Sequence, residues 1–166
     1  AVLDAAGKLQ PVPGRMALVP NSLNLQVIVD YAHTPHALEL VLQALRPHVS
    51  GALITVFGCG GDRDKEKRPL MGHVACALSD RVVVTSDNPR TEDPAAIASG
   101  IVKGIRETGN RRWALEPDRA VAIRSAIAAA TPQDLVLIAG KGHETYQEIH
   151  GVRTPFSDAT EATTAL

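Results

Sequence analysis

The chain of 166 residues is predicted to fold as an α/β domain with a Rossmann-like, doubly wound, mostly parallel sheet and an antiparallel edge hairpin. Three observations predict this fold. Short β-rich runs alternate with segments of helical period from about Leu25 onwards. The runs are continuous in Val, Ile and Leu, as in strands that helices cover on both faces. Four of the runs lead directly into polar segments that contain glycine or proline.

The alternation predicts five strands and four helices for the body of the domain. The expected strands, rich in β-branched residues and leucine, span residues 25–30, 52–57, 82–85, 112–115 and 135–139. The expected helices, which separate consecutive strands, span residues 35–45, 69–78, 94–108 and 118–130.

The third expected helix shows the clearest local signals. Asp93 can cap its first turn, and Pro94 suits a first helical position, where a backbone N–H is not needed. Ile97 and Ile101 begin an apolar stripe at helical spacing, and Gly109 suits the end of the helix. The first helix has a similar apolar stripe behind a Thr-Pro start, so both helices are expected to pack on the sheet.

Both ends of the chain depart from this alternation. Prolines and a glycine interrupt residues 1–24, which predicts an incoming segment and linker. Residues 146–149 and 152–156 flank a His-Gly pair and predict a hairpin on a sheet edge, where Pro155 is tolerated. Residues 158–166 are expected to form a short helix.

Composition excludes several classes of function. The 17 basic and 18 acidic side chains nearly cancel, and aromatic residues make up only 3%, so a nucleic-acid partner is not expected. The longest apolar stretches have four or five residues, far short of the roughly 20 that cross a bilayer. No membrane span and no secretory signal are expected. Cys59 and Cys76 form no CxxC and have no matching histidine pair, which indicates a reducing cytoplasm and no metal site.

Polar residues follow four expected strands, in segments 30–35, 58–64, 86–90 and 140–144. All four segments lie at the carboxyl ends of their strands. In an open parallel sheet these ends share one edge, and ligands bind in the crevice outside it. We therefore expect the four segments to meet around one small ligand.

The glycine-rich segment 58–64 matches neither the dinucleotide-binding pattern nor the phosphate loop GxxxxGK[ST]. Its glycines can instead allow a tight turn that brings Arg63 to the crevice; a plain turn with solvated charges is the alternative. The planar guanidinium of Arg90, beside Asn88, suits a carboxylate of an amino-acid head, unless Arg90 only caps the sheet edge. Glu144 can accept an ammonium group or simply face solvent.

Two further side chains have weaker support. His33 follows a strand and precedes a helix, so it could face the crevice, although a single histidine is more often structural. Cys59 lies beside glycines and could be an exposed nucleophile, but no histidine neighbours it in the sequence to activate the thiol.

Five strings resemble the Mur ligases, the ATP-dependent amide ligases of peptidoglycan synthesis. They are VPGRM, VDYAHTPHAL, FGCGGDRDKEKRPLMG, TSDNPRTEDP and GKGHETYQ, in this order along essentially the whole chain. The resemblance is strongest to members that add meso-diaminopimelate to UDP-N-acetylmuramoyl-L-alanyl-D-glutamate. It implies a three-domain enzyme in which residues 1–24 end the central ATP-binding domain and linker, and residues 25–166 form the C-terminal, amino-acid-binding domain.

The same resemblance implies where ligands bind. The UDP-binding amino-terminal domain and the phosphate loop of the central domain have no counterpart in these residues, so the main sites for ATP and Mg²⁺ are expected outside them. The chain alone is then expected to be inactive, with no catalytic residue of its own. The positions implied for meso-diaminopimelate are Arg63, Asn88, Pro89, Arg90, Thr91, Gly140 and Glu144. The positions implied for the nucleotide side of the cleft are Arg15, Asp30, Tyr31 and His33.

Two alternatives remain at this point. A lysine-adding or other amino-acid ligase of the family is one, although lysine-adding relatives depart from the arginine at position 90, which is present here. A non-catalytic amino-acid-binding module is the other.

Overall fold

The computed structural model describes residues 12–109 and 111–166. Within these ranges the chain builds a six-stranded sheet with the spatial order β1-β2-β6-β3-β4-β5. Only β1 runs antiparallel to its neighbour, so the predicted mostly parallel sheet is confirmed. Its strands in chain order are β1 (Ala17–Leu18), β2 (Gln26–Asp30), β3 (Leu53–Phe57), β4 (Arg81–Val84), β5 (Trp113–Leu115) and β6 (Leu135–Ala139).

Helices cover both faces of the sheet, as the continuous apolar strands predict. Side chains of successive residues in β6 point to opposite faces, and they divide between two apolar clusters. Leu135 and Leu137 pack with the first three helices, whereas Val136 and Ile138 pack with the last two. The helices are α1 (Pro35–Leu45), α2 (Lys67–Leu78), α3 (Pro94–Glu107), α4 (Arg119–Ala128) and α5 (Asp158–Ala165), with a short 3₁₀ turn at Arg46–His48. None of these helices is long and apolar enough to cross a membrane.

The helix starts follow the capping residues in the sequence. The side chain of Thr34 accepts a hydrogen bond from Ala37 N at the start of α1, and that of Asp93 accepts one from Ala95 N at the start of α3. Helix α2 begins at Lys67, two residues earlier than expected. Proline is tolerated throughout a first turn, where its missing N–H has no partner to lose, so Pro69 does not mark the start.

The two ends of the chain differ from expectation in detail. Ala17 and Leu18, placed in a linker by the sequence, form β1 and pair with Val29 and Ile28. Residues 1–11 of the predicted segment 1–24 lie outside the described residues. The predicted hairpin is confirmed as β7 (Tyr146–Ile149) and β8 (Val152–Pro155), but it forms a separate two-stranded sheet instead of extending the main one.

Candidate functional site

The loops that follow β2, β3, β4 and β6 meet at one edge of the sheet, as predicted, and enclose a cavity of about 520 Å³. The loop after β2 contributes Tyr31 and His33 to its wall. Charged side chains of both signs line the rest. The cations are Arg63, Lys67 and Arg90, and the carboxylates are Asp64, Asp87 and Glu144.

A hydrogen-bonded unit of Asn88, Lys141 and Glu144, here called the floor, supports the cavity from beneath, and of the three only Glu144 lines it. Asn88 Nδ2 donates to Glu144 Oε2 at 2.8 Å. The Lys141 ammonium donates to Asn88 Oδ1 at 2.8 Å and to Glu144 Oε2 at 2.9 Å. Lys141 is wholly buried, and the sequence analysis missed it. A lysine between two glycines, directly after a continuous apolar strand, is the signal that could have found it.

Asp87 lies beside this unit and lines the cavity while being almost entirely buried. Burial raises the pKa of its carboxyl group, against the opposing charges of Arg119 and Lys141. Gly140 sits directly over the carboxylate with a φ of +115°, and a Cβ there would lie 2.7 Å from Asp87 Oδ2. Glycine is therefore required at position 140 both for its backbone conformation and for space.

An ion pair behind the cavity joins α4 to α5. Arg119 Nε and Nη2 donate to the two carboxylate oxygens of Asp158 at 2.7 and 2.8 Å, and both side chains are fully buried. Nη2 also donates to Ala139 O at 3.0 Å, at the end of β6. Burial alone would lower the pKa of Arg119, but the Asp158 charge and hydrogen bonds raise it. The pair fixes the end of a central strand from beneath.

Arg90 is held through its main chain and its side chain. Its φ of +54° is left-handed, and its N–H donates to Glu148 O of the hairpin at 2.9 Å. Its Nη1 donates to Gly61 O at 2.7 Å. Gly61 itself lies so close to the carbonyl oxygen of Pro89 that a Cβ would collide with it. The loops after β3 and β4 thus fix the guanidinium that lines the cavity.

Thr91 shapes the loop after β3, and it does not line the cavity. Its hydroxyl donates to the Asp62 carboxylate at 2.8 Å, and its N–H donates to the same group at 3.2 Å. Arg63 follows Asp62 and remains exposed, with Nη1 donating to the Asp62 carbonyl oxygen at 3.1 Å. The Arg63 guanidinium therefore reaches the cavity from a loop whose position Thr91 helps to hold.

A second ion pair secures the same loop. Arg68 donates to both oxygens of Glu92, at 3.1 and 2.8 Å, and Glu92 Oε1 accepts a third hydrogen bond from Asp62 N at 2.7 Å. The hydrogen bonds from Arg68 and Asp62 lower the pKa of Glu92 to about 2. The pair was not anticipated from the sequence, where a solvated cluster of charges was one of two alternatives for this segment.

The part of the cavity wall formed by the loop after β2 consists of stacked side-chain rings. The Tyr31 and His33 rings lie 4.6 Å apart between centroids, and the His143 ring lies 5.2 Å from Tyr31. The Arg15 guanidinium carbon stands 4.8 Å from the centre of the Tyr31 ring. Asp30 is buried beneath, where its carboxylate accepts hydrogen bonds from Ala32 N and Met16 N, both at 2.7 Å. Asp30 thus holds the backbone of two segments together.

Cys59 is not an exposed nucleophile, in agreement with the lack of a histidine neighbour in the sequence. The thiol is buried, it lies 3.6 Å from the Met71 sulfur, and burial raises its pKa to about 12. Burial also raises the pKa of Cys76. Within residues 12–109 and 111–166, no group of three or more His, Cys, Asp or Glu side chains is placed to hold a metal ion.

Six of the predicted site residues line the cavity: Tyr31, His33, Arg63, Arg90, Gly140 and Glu144. The other five lie around it. Asn88 belongs to the floor, Pro89 and Thr91 shape the adjoining loop, Arg15 stacks on Tyr31, and Asp30 lies beneath the Tyr31 wall. Their roles toward a ligand stay predictions.

The comparison with protein families agrees with this geometry. A family profile described as "Mur ligase, glutamate ligase domain" matches residues 14–142. The chain belongs to the Mur ligase family. That match includes the loops after β2, β3 and β4 and the first residues of the loop after β6.

Two curated Mur ligases illustrate the similarity. A protein of Synechococcus elongatus is 55% identical over 156 residues, which cover 93% of this chain and 31% of that protein. A protein of Pseudomonas putida is 52% identical over 165 residues, covering 99% of this chain and 33% of that protein. Both carry the name UDP-N-acetylmuramoyl-L-alanyl-D-glutamate–2,6-diaminopimelate ligase. The chain spans about a third of the length of these relatives.

A solved structure with the same protein name superimposes closely. Its TM-score is 0.86 at 48% identity, and the match covers 99% of this chain and 33% of that one. The fold described above is therefore that of one portion of a larger Mur ligase.

Proposed function

We propose that this chain supplies the amino-acid-binding domain, together with the end of the central ATP-binding domain and linker, of a cytoplasmic ligase. The enzyme would use ATP to add meso-diaminopimelate to UDP-N-acetylmuramoyl-L-alanyl-D-glutamate in peptidoglycan synthesis. The observation that carries the proposal is the cavity in which two arginines and two buried or half-buried carboxylates converge. The names of the relatives that match nearly the whole chain support it.

The charges of the cavity complement a molecule with two amino-acid heads. Arg63 and Arg90 offer guanidinium groups, which bind carboxylates through paired N–H donors. Asp87 and Glu144 offer carboxylates to an ammonium group. In Glu144 the hydrogen bonds of the floor engage Oε2, which leaves Oε1 for the ligand. One head of meso-diaminopimelate would be held here while the other presents its amine for reaction.

The contribution of this domain to catalysis is positioning. ATP, when bound, supplies the phosphoryl group that activates the D-glutamyl carboxylate as an acyl phosphate. The side chains of this cavity hold the attacking amino acid; its free amine would attack the acyl carbon and form the amide C–N bond as the C–O bond to phosphate breaks, with release of inorganic phosphate and a proton. Holding a nucleophile in the reactive geometry can contribute about 7–11 kcal/mol toward the barrier. Arg15, Tyr31 and His33, with Asp30 beneath them, would lie on the nucleotide side of the cleft, as the resemblance to the family implies.

Lysine is the competing amino acid within the family. It lacks the second carboxylate, so binding it would leave a guanidinium of the cavity desolvated without its partner. A site built to pair with a polar group discriminates against a ligand that lacks the group by roughly 10⁴-fold in favourable cases. The presence of Arg90, fixed by contacts to Gly61 and Glu148, therefore favours meso-diaminopimelate.

Calorimetric titration of the chain with meso-diaminopimelate and with L-lysine tests the proposal. We expect binding of meso-diaminopimelate at least about 100-fold tighter than that of lysine. Arg90→Lys keeps the charge but loses the planar fork, and it should weaken binding of meso-diaminopimelate about tenfold or more. Arg124→Lys, on the exposed face of α4, is the matched control and should bind as the wild type does.

Equal affinity for the two amino acids would favour the general amino-acid-binding alternative. Absence of binding to meso-diaminopimelate by a folded chain would contradict the proposed role. Incubation of the chain with ATP and the UDP-linked substrate is expected to yield no amide product, because the phosphate loop is expected in another domain.

A further inference from the structure

Lys141 is an ammonium group with no exposure to solvent. It is not among the side chains that line the cavity, so it does not touch a ligand there. Its contacts are instead with residues of the site: Asn88 Oδ1 at 2.8 Å, Glu144 Oε2 at 2.9 Å, and the Tyr146 ring at 5.5 Å from the ring centre. Burying a lysine is costly, and these contacts show what the buried charge acts on.

The first effect of Lys141 is geometric. Asn88 Oδ1 accepts two hydrogen bonds, from Lys141 Nζ and from Glu148 N at 3.0 Å. These two donors fix which side of the amide faces each neighbour, so Nδ2 must be the atom that faces Glu144. Glu144 Oε2 then receives one hydrogen bond from Asn88 and one from Lys141. Both groups predicted to meet the ligand's amino-acid head are held by the same ammonium.

The second effect is electrostatic. Two cations, Lys141 and Arg119, share this region with three carboxylates, Asp87, Glu144 and Asp158. Arg119 is paired with Asp158, so Lys141 is the buried cation that lies against Asp87 and Glu144. Loss of Lys141 would remove this opposing charge from the two carboxyl groups.

We propose that Lys141 is a positioning residue for recognition of the ligand's ammonium group: its hydrogen bonds orient Asn88 and Glu144 toward that group. This inference rests on the proposed function, because it takes meso-diaminopimelate as the ligand. According to this inference Lys141 acts on the ligand through Glu144, whereas a lysine that only supports the fold would not.

A double-mutant cycle on the chain tests the inference, with meso-diaminopimelate as the probe in calorimetry. Lys141→Met keeps most of the side-chain volume and removes the charge. We expect it to weaken binding about tenfold in the wild-type background and less than about twofold in the Glu144→Gln background. If Lys141 only supported the fold, its replacement would weaken binding by the same factor in both backgrounds. Lys103→Met, on the exposed face of α3, is the matched control and should bind normally.

Each result has one meaning. Equal or tighter binding by Lys141→Met, or an equal loss in both backgrounds, overturns the inference. If the wild-type chain does not bind meso-diaminopimelate, it is the proposed function that fails, and the cycle is run with pimelate and 2-aminopimelate to ask whether ammonium recognition depends on Lys141. Should thermal unfolding show that Lys141→Met is not folded, Lys141→Gln, which retains hydrogen-bond donors, takes its place with the same expectations.

Discussion

The two ends of the cavity are built in different ways. The charged end, formed by Arg63, Asp87, Arg90 and Glu144, rests on side chains that are buried and bonded to one another across loops. The aromatic end, formed by Arg15, Tyr31 and His33, consists of rings and a guanidinium that are exposed or half-buried. The hydrogen bond of its histidine goes to the Tyr31 carbonyl oxygen, at 2.8 Å from Nδ1.

This difference teaches which half of the site the chain organises by itself. At the charged end, ion pairs from α2, α4 and α5 fix the loops before any ligand arrives, and pre-organised groups bind without a further loss of conformational freedom. At the aromatic end, stacking between exposed groups contributes little to order. We infer that the residues of this chain organise the charged end to a greater extent than the aromatic end.

The largest expected effect concerns the buried ion pair of the charged end. Arg119→Met should lower the free energy of unfolding by about 3–5 kcal/mol, because it leaves the Asp158 carboxylate buried and unpaired. Arg124→Met removes an exposed ion pair between the same two helices, with Glu161 at 3.4 Å, and should cost less than about 1 kcal/mol. Urea denaturation measures the free energy of unfolding of both variants. Similar decreases would show that the buried ion pair stabilises the fold no more than the exposed one.

An intermediate effect is expected from pH. The pKa of Glu92 is about 2 in the folded chain and near its ordinary value of about 4.3 when unfolded. A carboxyl group whose pKa is lowered by folding stabilises the fold above the unfolded value, and that contribution disappears as the pH falls toward the folded value. Glu92→Gln should therefore be less stable than wild type at pH 6, and the difference should shrink between about pH 5 and pH 2.

Denaturation midpoints at several pH values measure this difference. Glu107→Gln, on the exposed surface of α3, serves as the control and should show a smaller change. A gap between Glu92→Gln and wild type that stays constant down to pH 2 would contradict the assigned ion pair with Arg68.

The smallest effect is expected at the aromatic end. Arg15→Gln removes the guanidinium over the Tyr31 ring, and it should lower the free energy of unfolding by less than about 1 kcal/mol because the contact is exposed. Thermal unfolding of the chain measures it. A loss as large as that of Arg119→Met would mean that the two ends are equally organised, which would remove the contrast drawn above.

Much of the fold could be predicted because its strands are unambiguous. The five residues of β6 are all apolar and all buried, and the expected range 135–139 matches the strand end for end. The two residues of β1 carry no such pattern, since a two-residue pairing depends on the neighbouring strand and not on local sequence. The His-Gly turn predicted the hairpin, but the separation of the hairpin from the main sheet depends on how the loops pack.

For the candidate site, the sequence could predict only that residues from separate loops meet at one edge of the sheet. The placement of Arg63, Arg90 and Glu144 around one cavity follows from parallel strands sharing an edge. The floor could not be predicted, because Lys141 acquires its role from Asn88, which lies 53 positions away in the chain. Burial of a charge is a property of its partners, and a single sequence does not show which distant residues those partners are.

The contact between the hairpin and the loop after β4 has a consequence for engineering. Arg90 bonds to β7 and to the turn only through main-chain atoms, to Glu148 O and from Gly151 N at 3.3 Å. Lengthening or shortening the turn at residues 150–151 would therefore shift the Arg90 guanidinium without altering any side chain that lines the cavity. Libraries that vary this turn would change the geometry of the proposed binding site through the main chain alone.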